Sequence, residues 1–175
     1  MSVELLESDP IQHVARLRLH SLKDCQTLAQ QMALCLEVPL TIGLTGTLGA
    51  GKTQWTRFFA EACGLVNQEA TSPTFMLVHS YPTKPPIYHL DAYRVGDEDE
   101  FLELGIEEMF DEQAVTIIEW AERFPNLLPK DFLHMAIDLG DHPETRDISF
   151  RAVGSRAVKT IDRLLLSIEL FGPVC

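Results

Sequence analysis

The chain has 175 residues, 46% of them hydrophobic and 23% charged, which suits a folded soluble domain and excludes an intrinsically disordered chain. Its formal net charge of −12 is concentrated, since Val95 to Glu122 holds eleven acidic residues and no Lys or Arg. A basic footprint for tracking a nucleic-acid backbone is missing, and the acidic stretch reads either as a solvated helix face or as a docking surface for a basic partner.

Val14 to His20 alternates apolar and basic residues, the pattern of a half-buried strand. Ser21 then offers an N-cap, with Asp24 at the capping-box distance, for a helix to about Leu36 with Leu28, Met32 and Cys35 on one face. Leu40 to Thr45 is a short buried strand running into a glycine-rich loop. Beyond the loop, Trp55, Phe58, Phe59 and Ala62 recur at helical spacing, which predicts an inward face, and Gly64 is placed to end that helix. Two strand-like runs follow, Phe75 to Tyr81 and Ile87 to Leu90, separated by the turn Thr83 to Pro86. The acidic segment 97–112 predicts a helix interrupted at Gly105, with Phe101, Leu104 and Met109 or Phe110 facing inward. Ala114 to Ile118, Phe132 to Leu139 and Arg146 to Ala152 read as strands. A last helix spans Ser155 to Leu170, apolar at Val158, Ile161, Leu164, Leu165 and Ile168. Strands alternating with helices predict an α/β fold with a layered, mostly parallel central sheet, antiparallel additions and helices on both faces.

No internal repeat or Gly/Ser linker divides the chain, so residues 1–175 are expected to form a single domain. The N-terminus has no basic segment followed by an apolar one, and no apolar run reaches the length of a membrane span; the expected location is cytoplasmic. Cys25, Cys35, Cys63 and Cys175 are scattered, and neither they nor the six histidines show metal-ligand spacing.

Gly46-Thr47-Leu48-Gly49-Ala50-Gly51-Lys52-Thr53 fits the phosphate-binding pattern G-x-x-x-x-G-K-[ST] throughout. Triphosphate oxygens need several backbone N–H donors converging at short range, and glycines let the backbone approach. Lys52 can reach the β and γ phosphates, and the Thr53 hydroxyl can ligate Mg²⁺. The pattern arises by chance on the order of once in a hundred chains of this length. Here a buried strand enters it and an amphipathic helix leaves it, so a P-loop NTPase fold binding a nucleoside triphosphate with Mg²⁺ is expected.

Hydrolysis needs further groups, and two acids follow buried strands: Asp91 after Ile-Tyr-His-Leu and Glu119 after Val-Thr-Ile-Ile. Each can hold Mg²⁺ or act on the attacking water, and the sequence leaves both assignments open. Thr71-Ser72-Pro73-Thr74 is compatible with a γ-phosphate-sensing segment or with a plain loop. Trp120 is compatible with packing on the nucleotide or with a core position, and for Arg94 and Arg123 a structural role outweighs an arginine-finger role.

In this order, the glycine loop, Thr71 to Phe75, His89-Leu90-Asp91-Ala92-Tyr93-Arg94, Glu103 to Glu108 and Ile118-Glu119-Trp120-Ala121-Glu122 resemble the TsaE (YjeE) family of bacterial P-loop ATPases. The resemblance covers roughly residues 20–150. It implies an ATP-hydrolysing component of the machinery that makes N6-threonylcarbamoyladenosine in tRNA, acting with TsaD, which carries the transfer chemistry, and TsaB, its inactive relative. By resemblance, Lys52 and Thr53 are the phosphate and Mg²⁺ contacts, Ser72 and Thr74 the switch, Asp91 a Walker B-like acid, Glu119 a Mg²⁺-associated acid and Trp120 a nucleotide-pocket residue. Contact with tRNA would pass through the partners. The rival readings are a small-molecule kinase, for which no Arg-rich lid is evident, and a nucleotide-gated assembly factor with negligible hydrolysis.

Overall fold

In the computed structural model, which describes residues 3–66 and 77–170, one eight-stranded sheet carries the fold. Its strands are β1 (Val3–Asp9), β2 (Val14–Leu19), β3 (Leu40–Thr45), β4 (Val78–Tyr81), β5 (Ile87–Asp91), β6 (Val115–Glu119), β7 (Phe132–Leu139) and β8 (Arg146–Val153). They lie in the order β1-β2-β8-β7-β3-β6-β5-β4. The central strands β7, β3, β6 and β5 run parallel, and antiparallel pairs extend the sheet on both sides. The mixed α/β architecture is therefore the expected one, and β1 is the addition that the sequence pattern does not announce. Its residues are half-buried or exposed, as befits an edge strand, so no apolar alternation marks it.

The helices are α1 (Leu22–Cys35), α2 (Lys52–Ala62), α3 (Glu98–Glu103), α4 (Ile106–Asp111) and α5 (Ser155–Leu170). Ser21 caps α1 as its sequence predicts: its hydroxyl oxygen accepts the Asp24 amide, and the Asp24 carboxylate accepts the His20 amide. Helices α1, α2 and α5 share one core with the inward residues of β3, β6 and β7, including Ile42, Leu44, Ile117 and Leu133. Within it, the rings of Trp55 and Phe59 stack with centroids 5.1 Å apart. A second, smaller core under α3 and α4 joins Phe101, Ile106 and Phe124 to Leu90 and Ile118 on the opposite face of the sheet. Gly105 separates α3 from α4 in the left-handed conformation, with φ of 72°, which is why one acidic segment yields two short helices.

One predicted face is corrected. Helix α2 buries Trp55, Thr56, Phe59 and Ala60, while Phe58 is half-buried and Ala62 exposed. The helix contacts both α1 and the sheet, so its buried stripe swings toward Thr56 and Ala60, and Cys63 closes the row where Ala62 was expected. Cys25, Cys35 and Cys63 are buried free thiols. Among the described residues, no helix is long and apolar enough to cross a membrane.

Candidate functional site

The glycine loop leaves the C-terminal end of β3 and delivers the chain into α2. Gly46 has φ of +116°, and a β-carbon there would stand 2.0 Å from the Ile137 carbonyl oxygen of β7. Only glycine lets the loop start so close to the neighbouring strand. At the far end of the loop, Lys52 is buried, and its ammonium donates to the carbonyls of Gly46 at 2.8 Å and Thr47 at 3.0 Å. It also stands 3.7 Å above the centre of the Trp120 ring. Burial pulls the Lys52 ammonium below its ordinary range, and the charges of Glu119, Glu122, Asp91 and Asp138 pull it back up.

The parallel register of β5 and β6 sets Asp91 directly opposite Glu119. Side chains alternate along a strand, so Asp91 and Glu119 share the sheet face of Ile87 and Ile117, the face toward α2. Thr53 at the start of α2 reaches across, and its hydroxyl donates to Glu119 Oε2 at 2.9 Å. Asp91 is 8% exposed and accepts the Tyr93 amide at 3.1 Å. Burial pushes its carboxyl above the ordinary range; the Tyr93 amide works against that shift and the Glu119 charge adds to it. Lys52, Thr53, Asp91, Tyr93, Glu119 and Trp120 together line one open cleft of about 320 Å³. A hydroxyl and two carboxylates form an all-oxygen donor set, which suits a hard divalent cation such as Mg²⁺ held jointly with a phosphate. The desolvated Asp91 carboxyl is a group that such a cation would stabilise in its charged form.

A family model, that of the "Threonylcarbamoyl adenosine biosynthesis protein TsaE", matches residues 19–148, which include every strand end that frames this cleft. The chain belongs to the TsaE family. A relative from Bacillus subtilis, a tRNA threonylcarbamoyladenosine biosynthesis protein TsaE, is 42% identical over 114 residues, covering 65% of this chain and 70% of that protein. A protein of the same name from Streptomyces coelicolor is 35% identical over 136 residues, covering 74% of this chain and 90% of its own length. The crystal structure of Bacillus subtilis YdiB matches the fold with a TM-score of 0.72 at 30% identity, over 87% of this chain and 95% of that one.

In this TsaE-family chain the other residues weighed for the site occupy different places. Trp120 lines the cleft, in a left-handed backbone conformation with φ of 61° that aims its ring at Lys52 and, at 5.2 Å between centroids, at Tyr93. Along the loop, Thr47 and Leu48 are exposed and Ala50 is buried, and the apolar side chains of Leu48 and Ala50 leave only their backbones to serve a phosphate. Ser72 and Thr74 lie outside the described residues. Arg123 donates to the carbonyls of Ala92 and Tyr93, bracing the turn that carries Tyr93 rather than entering the cleft. Tyr93 and, behind Glu119, His89 and Tyr81 are neighbours of the site that sequence reasoning did not single out. Period-two counting back from Asp91 would have found His89.

Proposed function

We propose that the chain binds ATP with Mg²⁺ in this cleft, hydrolyses it to ADP and phosphate, and by doing so permits repeated turnover of a TsaD–TsaB pair in tRNA threonylcarbamoyladenosine synthesis. One observation carries the reading: a complete phosphate-binding loop, two strand-end carboxylates and an aromatic ring converge on one cleft, with Thr53 already bonded to Glu119. The loop amides and the N-terminus of α2 receive the phosphates. Lys52 exchanges its contacts with the Gly46 and Thr47 carbonyls for phosphate oxygens. Thr53 and Glu119 hold the cation, and Asp91 beside them orients the attacking water. When bound, Mg²⁺ would neutralise phosphate charge and fix the geometry of the transferred group. Trp120 and Tyr93 form an aromatic wall of the cleft. With no basic tract in the chain, tRNA contact falls to the partners, and the acidic segment 97–112 offers them a charged face.

The test is reconstitution with TsaD, TsaB, threonylcarbamoyl-adenylate and tRNA. Wild-type chain should support many turnovers with release of inorganic phosphate, and a Lys52→Ala variant should stop near one. Equal turnover with that variant refutes the proposal. A phosphorylated small molecule in place of free phosphate would establish the kinase reading instead.

A further inference from the structure

Glu119 is held from two sides. Its Oε2 accepts the Thr53 hydroxyl at 2.9 Å, and its Oε1 lies 2.8 Å from Nε2 of His89. The other nitrogen of that ring, Nδ1, is 3.2 Å from the Tyr81 hydroxyl. This relay is buried, with only the Glu119 end reaching the cleft: His89 is 0% exposed, Glu119 3% and Tyr81 3%. Its parts come from neighbouring strands, with Tyr81 paired opposite Ile87 across β4 and β5, and His89 opposite Ile117 across β5 and β6.

Apolar neighbours make this an expensive place for an imidazole. On its own sheet face Ile87 and Ile117 are fully buried beside it, with His79 opposite it on β4, and an apolar ring would fill the volume without desolvating a polar one. What the histidine supplies is direction. Glu119 as a carboxylate only accepts hydrogen bonds, so a neutral His89 must donate from Nε2. Its Nδ1 then carries a lone pair, which the Tyr81 hydroxyl satisfies by donating to it. In this arrangement every donor has an acceptor. Each Glu119 oxygen accepts one bond from the protein and keeps lone-pair capacity for the cleft.

We infer that His89, its tautomer fixed by Tyr81, is the positioning residue for Glu119, stopping rotation of the carboxylate so that its free lone pairs face the cation site beside Thr53. The inference rests on the ATP and Mg²⁺ reading above. It adds that the acid's aim is built into the strand behind it. Partners of this kind, which orient a metal-binding side chain, typically contribute about 10–100-fold to metal affinity or activity.

Two measurements test it. The first is the Mg²⁺ concentration that half-saturates binding of fluorescently labelled ADP, read alongside labelled-ADP affinity in EDTA. His89→Leu should raise the Mg²⁺ requirement by about 10–100-fold while leaving the EDTA affinity unchanged. His89→Gln, which can place an amide N–H near the Nε2 position, should recover most of that loss, and Tyr81→Phe should show a smaller loss of about threefold or more. A Mg²⁺ requirement unchanged in both His89→Leu and Tyr81→Phe overturns the inference, as does a His89→Gln variant no better than His89→Leu. If His89→Leu does not fold, His89→Gln and Tyr81→Phe carry the comparison, and a wild-type requirement in Tyr81→Phe overturns it. The second measurement is a long-range proton–nitrogen NMR spectrum of the histidine rings in the wild-type chain. His89 should carry its proton on Nε2 alone, and a proton on Nδ1 overturns the inference without reference to nucleotide. A wild-type chain that binds no nucleotide sinks the ATP reading itself. A wild-type chain that binds and hydrolyses ATP, needs Glu119 and ignores His89 sinks only the positioning role.

Discussion

Replacing Gly46 by alanine separates the steric demand of the glycine loop from its backbone conformation. Gly46 and Gly51 have nearly the same φ, +116° and +112°, yet a β-carbon at Gly51 meets nothing within 4 Å while one at Gly46 meets the Ile137 carbonyl oxygen at 2.0 Å. Ordinary carbon–oxygen contact begins at about 3.3 Å, so β7 must retreat by roughly an ångström at Ile137. That residue is 1% exposed and paired with Ile148 of β8, while its neighbour Ala136 pairs with Thr45 of β3. A retreat weakens one or two ladder bonds, each worth about 1 kcal/mol net, and disturbs close packing besides. Positive-φ strain adds about 1–2 kcal/mol at either glycine. Gly51→Ala should therefore cost about 1–2 kcal/mol and Gly46→Ala about 3–5 kcal/mol, a large share of a typical domain's stability. Urea unfolding followed by circular dichroism measures both, with the difference taken from the midpoints at constant slope. Variants that unfold within about 1 kcal/mol of each other would refute the argument that β7 closes on the loop.

Three further outcomes follow from named contacts. Of Asp91→Asn and Glu119→Gln, at least one should retain nucleotide binding while phosphate release falls about a hundredfold or more, and wild-type rates in both would remove either acid from the reaction. Arg123→Ala should lower stability by about 0.5–1.5 kcal/mol through the lost bonds to the Ala92 and Tyr93 carbonyls, with hydrolysis changing less than about tenfold. An arginine-finger role would instead demand a loss of about a thousandfold or more in single-turnover hydrolysis. The third outcome concerns pH. Arg18 donates to both oxygens of Asp147 across β2 and β8, at 2.7 and 2.9 Å, and holds that carboxyl below the ordinary range. A depressed carboxyl contributes stability above its unfolded pKa of about 3.9, and that contribution disappears as pH falls through the folded value. Asp147→Asn should therefore melt below wild type at pH 7, and the gap should close as the medium is acidified below pH about 3.9. A gap constant across that range would place the contribution in shape rather than charge.

Elements were legible in the sequence wherever one face of a helix or strand carries its own pattern. The run Leu40 to Thr45 and the helix Ser155 to Leu170 coincide with β3 and α5, because buried β-residues and a 3.6-residue apolar period are local properties. Strand β1 was not legible, since an edge strand with exposed charges buries too little to leave a period. The face of α2 was misjudged at Ala62 because a helix in contact with both a helix and a sheet has a broad buried arc, and spacing alone does not say where that arc ends.

The site divides along the same line. The glycine loop is contiguous, so its chemistry is written in eight adjacent residues. Asp91 and Glu119 are 28 positions apart and become one site only through the parallel register of β5 and β6, which no local pattern encodes. Their placement at strand ends did carry a signal, because α/β sheets gather ligands at the carboxyl ends of parallel strands. His89 carried a weaker one. A lone buried histidine with no metal spacing resembles core packing until Glu119 and Tyr81 are known to flank it at 2.8 and 3.2 Å. Even so, residues i and i−2 of a strand share a face, so the residue two before a strand-end acid already lies behind the site it serves. A polar side chain there, in a run otherwise as apolar as Ile-Tyr-His-Leu, is a desolvation cost without benefit unless it bonds to something. What the strand's own sequence does not disclose is the identity of its partner: register gives His89 to Glu119 of the neighbouring strand rather than to Asp91 of its own.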